Sequence, residues 1–285
     1  MTSHLPVFDL LGSRGTLGRA LARRLVGRFT VTAWSGAEGA GSYAAYAEMW
    51  RARGADGAQR PAVLAHGGAA EDASSLLRDL ALRTASFIDL WDATKWPARL
   101  VLLGSASELL PDSLYGAAKR AQRDIAETAA RRAGTHMVTL RVHSLVPDGL
   151  PARGIFRDLL TCFRAGGPVR VRHLAGMRDY LSEEQLAAVA GAALVAPPDR
   201  LPQVLDVGSG RGRRVMDWIE GFRAAFGIDA ELRVERPDAV DAEIVADTAP
   251  LEALLAAVDS AGLARWLEST PDPAACAARW RQLCG

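Results

Sequence analysis

Cysteine, histidine and lysine are all scarce in this sequence, and each scarcity removes a class of chemistry. The 285 residues hold three cysteines, Cys162, Cys276 and Cys284. They are odd in number, scattered and without metal-ligand spacing, so they read as reduced thiols rather than a disulfide framework or a zinc site. The histidines at 4, 66, 136, 143 and 173 never form a close pair on one helix face, which removes the other common metal ligand. No metal is expected. Lysine stands only at positions 95 and 119, so every other cation is arginine. No apolar run approaches the roughly 20 residues needed to cross a bilayer, and the N-terminus lacks the basic and apolar regions of a signal peptide. A cytoplasmic protein without membrane contact is expected. The net charge of +1 supplies no general field for nucleic acid, which is not expected as a partner. An anionic substrate must then be caught by local arginines.

What remains is an ordinary globular composition, 49% hydrophobic and 24% charged, in a chain long enough for one large α/β domain with a smaller lobe. Short apolar runs alternate with helical patterns through the first half, the signature of βαβ units and a parallel sheet. Strands are predicted at Leu5 to Leu11, Phe29 to Trp34, Ala62 to Ala65, Arg99 to Leu103 and His136 to Val142. Helices are predicted from about Thr16 to Val26, Ser74 to Trp91 and Tyr115 to Arg132. After Pro147 proline and glycine break the alternation, which divides the chain into a core over 1–147 and a lobe over 148–285 with segments returning to the core. In the lobe, Ser182 is expected to N-cap a helix reaching Val195, with Glu183 and Glu184 in its first turn. Val204 to Val207 reads as a strand, and helices are expected near 212 to 226 and 249 to 267.

Gly12-Ser13-Arg14-Gly15-Thr16-Leu17-Gly18 follows the first strand and opens the first helix. Glycines there permit a tight turn and close approach of backbone to a pyrophosphate, and the helix N-terminus offers N–H groups to the anion. The placement predicts a Rossmann doubly wound sheet that binds a dinucleotide. The second strand ends Trp34-Ser35-Gly36 without the carboxylate that holds the ribose hydroxyls of NAD, while Arg14 could meet a 2′-phosphate with a forked guanidinium. NADP (as NADPH) is the cofactor expected.

Ser105 lies just past the fourth predicted strand, and Tyr115 and Lys119 are four apart on one face of the next helix. A phenol is a poor proton shuttle at neutral pH unless positive charge favours its phenolate, a part that the helical spacing assigns to Lys119. Tyr115 would donate a proton to a carbonyl oxygen, Ser105 would hydrogen-bond that oxygen, and Lys119 would also hold the nicotinamide ribose.

These residues together resemble the extended short-chain dehydrogenase/reductase family. Gly12, Gly15 and Gly18 match its glycine turn. Ser105, Tyr115 and Lys119 match its catalytic trio, with Ser107 as a second polar candidate at the substrate. Ala65-His66-Gly67-Gly68 stands where the family has a strand-end segment lining the cofactor. Arg178-Asp179-Tyr180 is similar to its RDY motif, Val204 to Gly210 to its late strand and turn, and Arg236-Pro237 and Ala246-Asp247 to its closing segments. The resemblance implies a nucleotide-sugar substrate whose diphosphate Arg178 and Arg236 would hold. A keto group on a dTDP-4-keto-6-deoxy sugar is the reduction target it suggests, and a homodimer is among the assemblies it admits. The stretch from Ser105 to Tyr115 is much shorter than in that family, and a closing LGW-like signature is absent.

Three alternatives share some of these residues. A nucleotide-sugar 4-epimerase would use the same trio with a retained NAD, and a non-catalytic NADP sensor or scaffold would use the same fold. Val204 to Gly212 alone resembles the first motif of a methyltransferase, but too little chain follows it to build that sheet.

Overall fold

The computed structural model describes residues 5–36, 38, 41–53, 60–66, 72–172, 174–238 and 242–284. The first half alternates strand and helix: β1 (Val7–Leu11), α1 (Thr16–Arg24), β2 (Thr30–Trp34), α2 (Tyr43–Arg53) and β3 (Ala62–Leu64). A helical stretch follows, made of α3 (Ala73–Leu76), a π-helical segment (Leu77–Leu82) and α4 (Arg83–Ala93), and then β4 (Arg99–Ser105), α5 (Leu114–Arg132) and β5 (His136–Val142). The single helix expected from Ser74 to Trp91 is therefore interrupted by six residues of wider winding, a local form that often accompanies function.

β6 (Ser144–Val146), α6 (Ile155–Ala165), β7 (Val169–Val171) and β8 (Met177–Ser182) lead into the lobe. Next come α7 (Glu183–Val195) and β9 (Val204–Val207), followed by β10 (Gly212–Arg213), α8 (Val215–Phe226), β11 (Leu232–Val234) and β12 (Glu243–Ile244). The chain closes on α9 (Ala249–Val258), α10 (Ser260–Glu268) and α11 (Pro273–Cys284). The helix expected over 249–267 is thus two helices. Asp259 breaks it and caps the second, its carboxylate accepting from Gly262 N at 2.8 Å. α11 has no counterpart among the elements predicted from sequence; its Trp280 is buried in the lobe core with Trp218 and Phe222.

Six parallel strands form the central sheet in the order β2-β1-β3-β4-β5-β9. Such strands are buried on both faces, which is why β4 reads as an unbroken apolar run and Leu100 to Leu103 are all buried. One face packs against α1, α7, α9 and α10, the other against α2, α4 and α5. The order reverses between β1 and β3, and in open sheets of this kind ligands bind beyond the carboxyl ends of the strands at that reversal. Among the described residues no strand lies beyond β2. Among the described residues β9 is the other edge of the sheet, and the chain after its glycine turn adds to it none of the further parallel strands that a methyltransferase would require. Ser182 caps α7 through a reciprocal pair with Gln185, each bond 3.0 Å long. No described helix is long and apolar enough to cross a membrane, and no described group of histidine, cysteine or carboxylates could hold a metal ion.

Candidate active site

The glycine turn is shaped by close approach of backbone to backbone. Gly12 has φ +99°, and a Cβ there would lie 2.7 Å from the carbonyl carbon of Ala65, just past β3. A Cβ on Gly18 would lie 2.2 Å from the Gly12 oxygen, so α1 can begin this close to β1 only without a side chain. Ser13 serves the turn itself, its N and Oγ both donating to the Trp34 carbonyl at 3.0 Å. Gly15 is the N-cap of α1, which has no side-chain cap and no acidic residue in its first turn. Its positive end therefore stays available to an anion.

Two cavities flank this turn and share Gly15. The larger, about 490 Å³, runs from Thr16 and Leu17 past Ser105, Tyr115 and Lys119 to the 147–156 loop of the lobe. Its size suits a small-molecule site. The short connection between Ser105 and Tyr115 is a tight turn rather than an open loop. Ser105 caps a 3₁₀ segment (Ala106–Leu109), its Oγ accepting from Ser107 N at 3.2 Å and its N donating to Glu108 Oε1 at 2.9 Å. Glu108 is buried and pairs with Arg123 at 2.6 Å. Ser113 then caps α5 by accepting from Gly116 N at 3.0 Å. The turn thus brings Ser105 and Tyr115 to the same wall. Ser107 is not among the residues lining this cavity; its carbonyl packs against Gly116, where a Cβ would come within 2.0 Å.

Lys119 is only 2% exposed, and its ammonium donates to the carbonyls of His66 (3.1 Å) and Leu103 (2.9 Å) and to Gln122 Oε1 (2.9 Å). All three of its donors are engaged, tying the chain beyond β3 to β4 and α5. Burial pulls its pKa down to about 8, with Glu108 acting in the opposite direction. The Tyr115 hydroxyl makes no hydrogen bond among the described residues. Burial raises its pKa, Arg153 opposes that rise and Glu108 adds to it. Arg153, on the lobe loop that lines the same cavity, is a cation near this site that no sequence motif marked.

The smaller cavity, about 250 Å³, is lined by Gly12, Arg14, Ser35, Gly36, Tyr43, His66 and Arg83. Arg14 is exposed there. Arg83, the first residue after the π-helical segment, lies over the Tyr43 ring at 5.6 Å, and its Nη1 is 4.0 Å from where a Cβ on Gly36 would stand. A second guanidinium thus reaches the end of β2, delivered by a helix far along the chain. No sequence spacing could have paired it with Arg14. Ser35 is buried and bridges to Ser42. His66 is 5% exposed, and neither ring nitrogen has a hydrogen-bond partner among the described residues. Burial first, then the charges of Lys119 and Arg83, pull its pKa down to about 3, so the ring is neutral. Gly67, expected beside it at the cofactor, lies outside the described residues.

The lobe motifs behave differently. Arg178, on β8, donates to the backbone carbonyls of Met177 (3.1 Å) and Ala242, and Arg236 is exposed. Neither lines the 490 Å³ cavity. Asp179 joins the remaining motifs. Its buried carboxylate accepts from Ser209 N (2.7 Å), Ser209 Oγ (2.6 Å), Gly210 N (2.8 Å) and Ala246 N (3.2 Å).

No protein-family model matches the chain, and no curated protein matches it. Solved structures do. A UDP-glucuronic acid 4-epimerase from Bacillus cereus, in complex with UDP-glucuronic acid and NAD, aligns with a TM-score of 0.71 at 14% identity over 94% of this chain and 99% of that one. A UDP-N-acetylglucosamine 4-epimerase from the same organism gives 0.70 at 18% identity over 98% and 100%. A UDP-glucose 4-epimerase from Thermus thermophilus, in complex with NAD, gives 0.69 at 16% identity over 92% and 98%. At such identities the likeness is one of architecture, and the chain has the Rossmann-type α/β fold of these 4-epimerases over nearly its whole length.

Proposed function

We propose that this chain is an NADP-dependent oxidoreductase that reduces a keto group on a nucleotide-activated sugar. The observation that carries the reading is the convergence of Ser105, Tyr115 and Lys119 on one cavity with the uncapped N-terminus of α1. The donor set fits the cofactor. The end of α1 suits a pyrophosphate, Arg14 and Arg83 suit a 2′-phosphate, and no carboxylate is among the described residues lining their cavity. A bound reduced nicotinamide would supply the hydride.

The residues of the chain supply the rest. The Tyr115 hydroxyl, without a protein partner among the described residues, donates its proton to the carbonyl oxygen as the carbon is reduced, and its phenolate then recovers a proton from solvent. Ser105 Oγ accepts from Ser107 N, which leaves its own proton to donate to that oxygen as charge grows there. Lys119 holds the ends of β3 and β4 against α5, and contact with a ribose requires it to exchange one of its three bonds. A dTDP-4-keto-6-deoxy sugar is the substrate class that the sequence resemblance suggests. A 4-epimerase is the second reading, favoured by the 4-epimerases among the similar structures.

Incubation with a panel of nucleotide 4-keto-6-deoxysugars and NADPH, followed at the nicotinamide absorbance, separates these readings. A reductase consumes NADPH in proportion to substrate, whereas an epimerase interconverts sugars with no net change. Tyr115→Phe should lower turnover by roughly 100-fold or more while cofactor binding persists. Undiminished turnover in that variant would remove Tyr115 from the chemistry and assign the proton to another group.

A further inference from the structure

We propose that Gln122, on α5, is a positioning residue for Lys119 and is itself anchored by Thr84 at the start of α4. The proposal rests on the reading of Lys119 as the residue that holds the nicotinamide ribose. Two of the three acceptors of Lys119, the carbonyls of His66 and Leu103, belong to the backbone at the ends of β3 and β4. The third is the Gln122 side chain, whose Oε1 accepts from the ammonium at 2.9 Å. Its Nε2 donates to Thr84 Oγ1 at 3.0 Å. Gln122 and Thr84 are fully buried, as Lys119 nearly is, so these bonds are made out of reach of bulk water.

The donors and acceptors fix which way this amide points. An ammonium can only donate, so the Gln122 oxygen must face Lys119 and its NH2 must face the Thr84 hydroxyl. The flexible lysine stem is thereby held at a third point by a side chain that cannot turn over without leaving buried donors unpaired. Of the ionisable groups around the ammonium, Glu108 is paired with Arg123, the His66 ring is neutral, and Tyr115 lies one turn earlier on α5. None of them accepts from Lys119. Thr84 directly follows Arg83, which lines the smaller cavity, whereas Lys119 lines the larger. One buried run of hydrogen bonds, from Lys119 through Gln122 to Thr84, therefore ties the lysine to the helix start that carries Arg83.

Lysine stands only at positions 95 and 119, which makes a direct test possible. The full chain, with its lysines labelled with carbon-13 at Cε, is titrated by NMR without cofactor or substrate, and Lys95→Arg assigns the two signals. Loss of an acceptor disfavours the charged form, so Gln122→Leu should move the Lys119 titration downward by about one pH unit. Gln122→Glu, which sets a carboxylate against the ammonium, should move it upward. Thr84→Val frees the amide at its other end and should move it downward by about half as much as Gln122→Leu. By calorimetry, Gln122→Leu should weaken NADPH and NADH alike, by about threefold to tenfold, because both carry the nicotinamide ribose. An unmoved titration in Gln122→Leu would overturn the proposal, and so would shifts of the same sign in the Leu and Glu variants. A moved titration with cofactor affinity unchanged would also overturn it, leaving Gln122 a packing residue. An unmoved titration in Thr84→Val would remove the anchor. If Gln122→Leu does not fold, the Glu and Thr84→Val variants decide by the same criteria. A chain that binds neither cofactor would sink the reading of the ribose site, a failure distinct from that of the contact, which the titration alone decides.

Discussion

The core motifs and the lobe motifs carry the same kind of sequence signal, yet they have different physical roles. Gly12 to Gly18, Ser105, Tyr115 and Lys119 all lie at the carboxyl ends of parallel strands or at the helix starts that follow them, and the sheet delivers them to one place. Asp179, Ser209, Gly210 and Ala246 lie in the lobe and its returning segments, where Asp179 fastens them to one another, and Arg178 beside it donates to backbone carbonyls outside the larger cavity. A stretch that reads as a binding motif can thus build a joint. The distinction is visible only in what each side chain touches.

The largest expected effect tests the joint. Asp179→Ala leaves the backbone N–H groups of Ser209, Gly210 and Ala246 without their acceptor, those of Ser209 and Ala246 buried, and should cost about 3–5 kcal/mol of stability, measured by urea unfolding. A loss below about 1 kcal/mol would show that β8, the turn after β9 and the chain near Ala246 hold together without it, and the contrast between joint and site would fail.

A smaller effect sharpens the core side. Arg14→Ala and Arg83→Ala should each weaken NADPH binding about tenfold by calorimetry while leaving NADH binding unchanged, as expected for loss of one charge-assisted contact to a 2′-phosphate. Equal affinity of the unsubstituted chain for NADPH and NADH would remove the phosphate site altogether. Loss of preference in Arg14→Ala alone would return Arg83 to its pairing with Asp79 at 3.5 Å.

The smallest effect lies back in the lobe. Arg178→Ala should leave KM for an accepted nucleotide sugar within about twofold, because the guanidinium donates to backbone carbonyls outside the cavity. A tenfold rise in KM would bring Arg178 to the substrate, as the sequence resemblance implies, and the division between the two regions would have to be redrawn.

Local chemistry in the sequence determined the alternation of strand and helix, the glycine turn after β1, the cap at Ser182 and the face shared by Tyr115 and Lys119. Each of these depends on residues a few positions apart. The π-helical interruption, the break at Asp259 and the capped turn at Ser105 were not legible, because winding and loop shape depend on packing against neighbours distant in the chain. The same holds for Arg83 at the end of β2 and for Arg153 on the cavity that Tyr115 lines, which come from a helix and a lobe loop with no sequence relation to the residues around them. Only the tertiary structure could decide which cation meets which group. Charge acts through space, and an arginine-rich sequence offers many equivalent candidates until the fold lines a cavity with some of them and pairs others elsewhere.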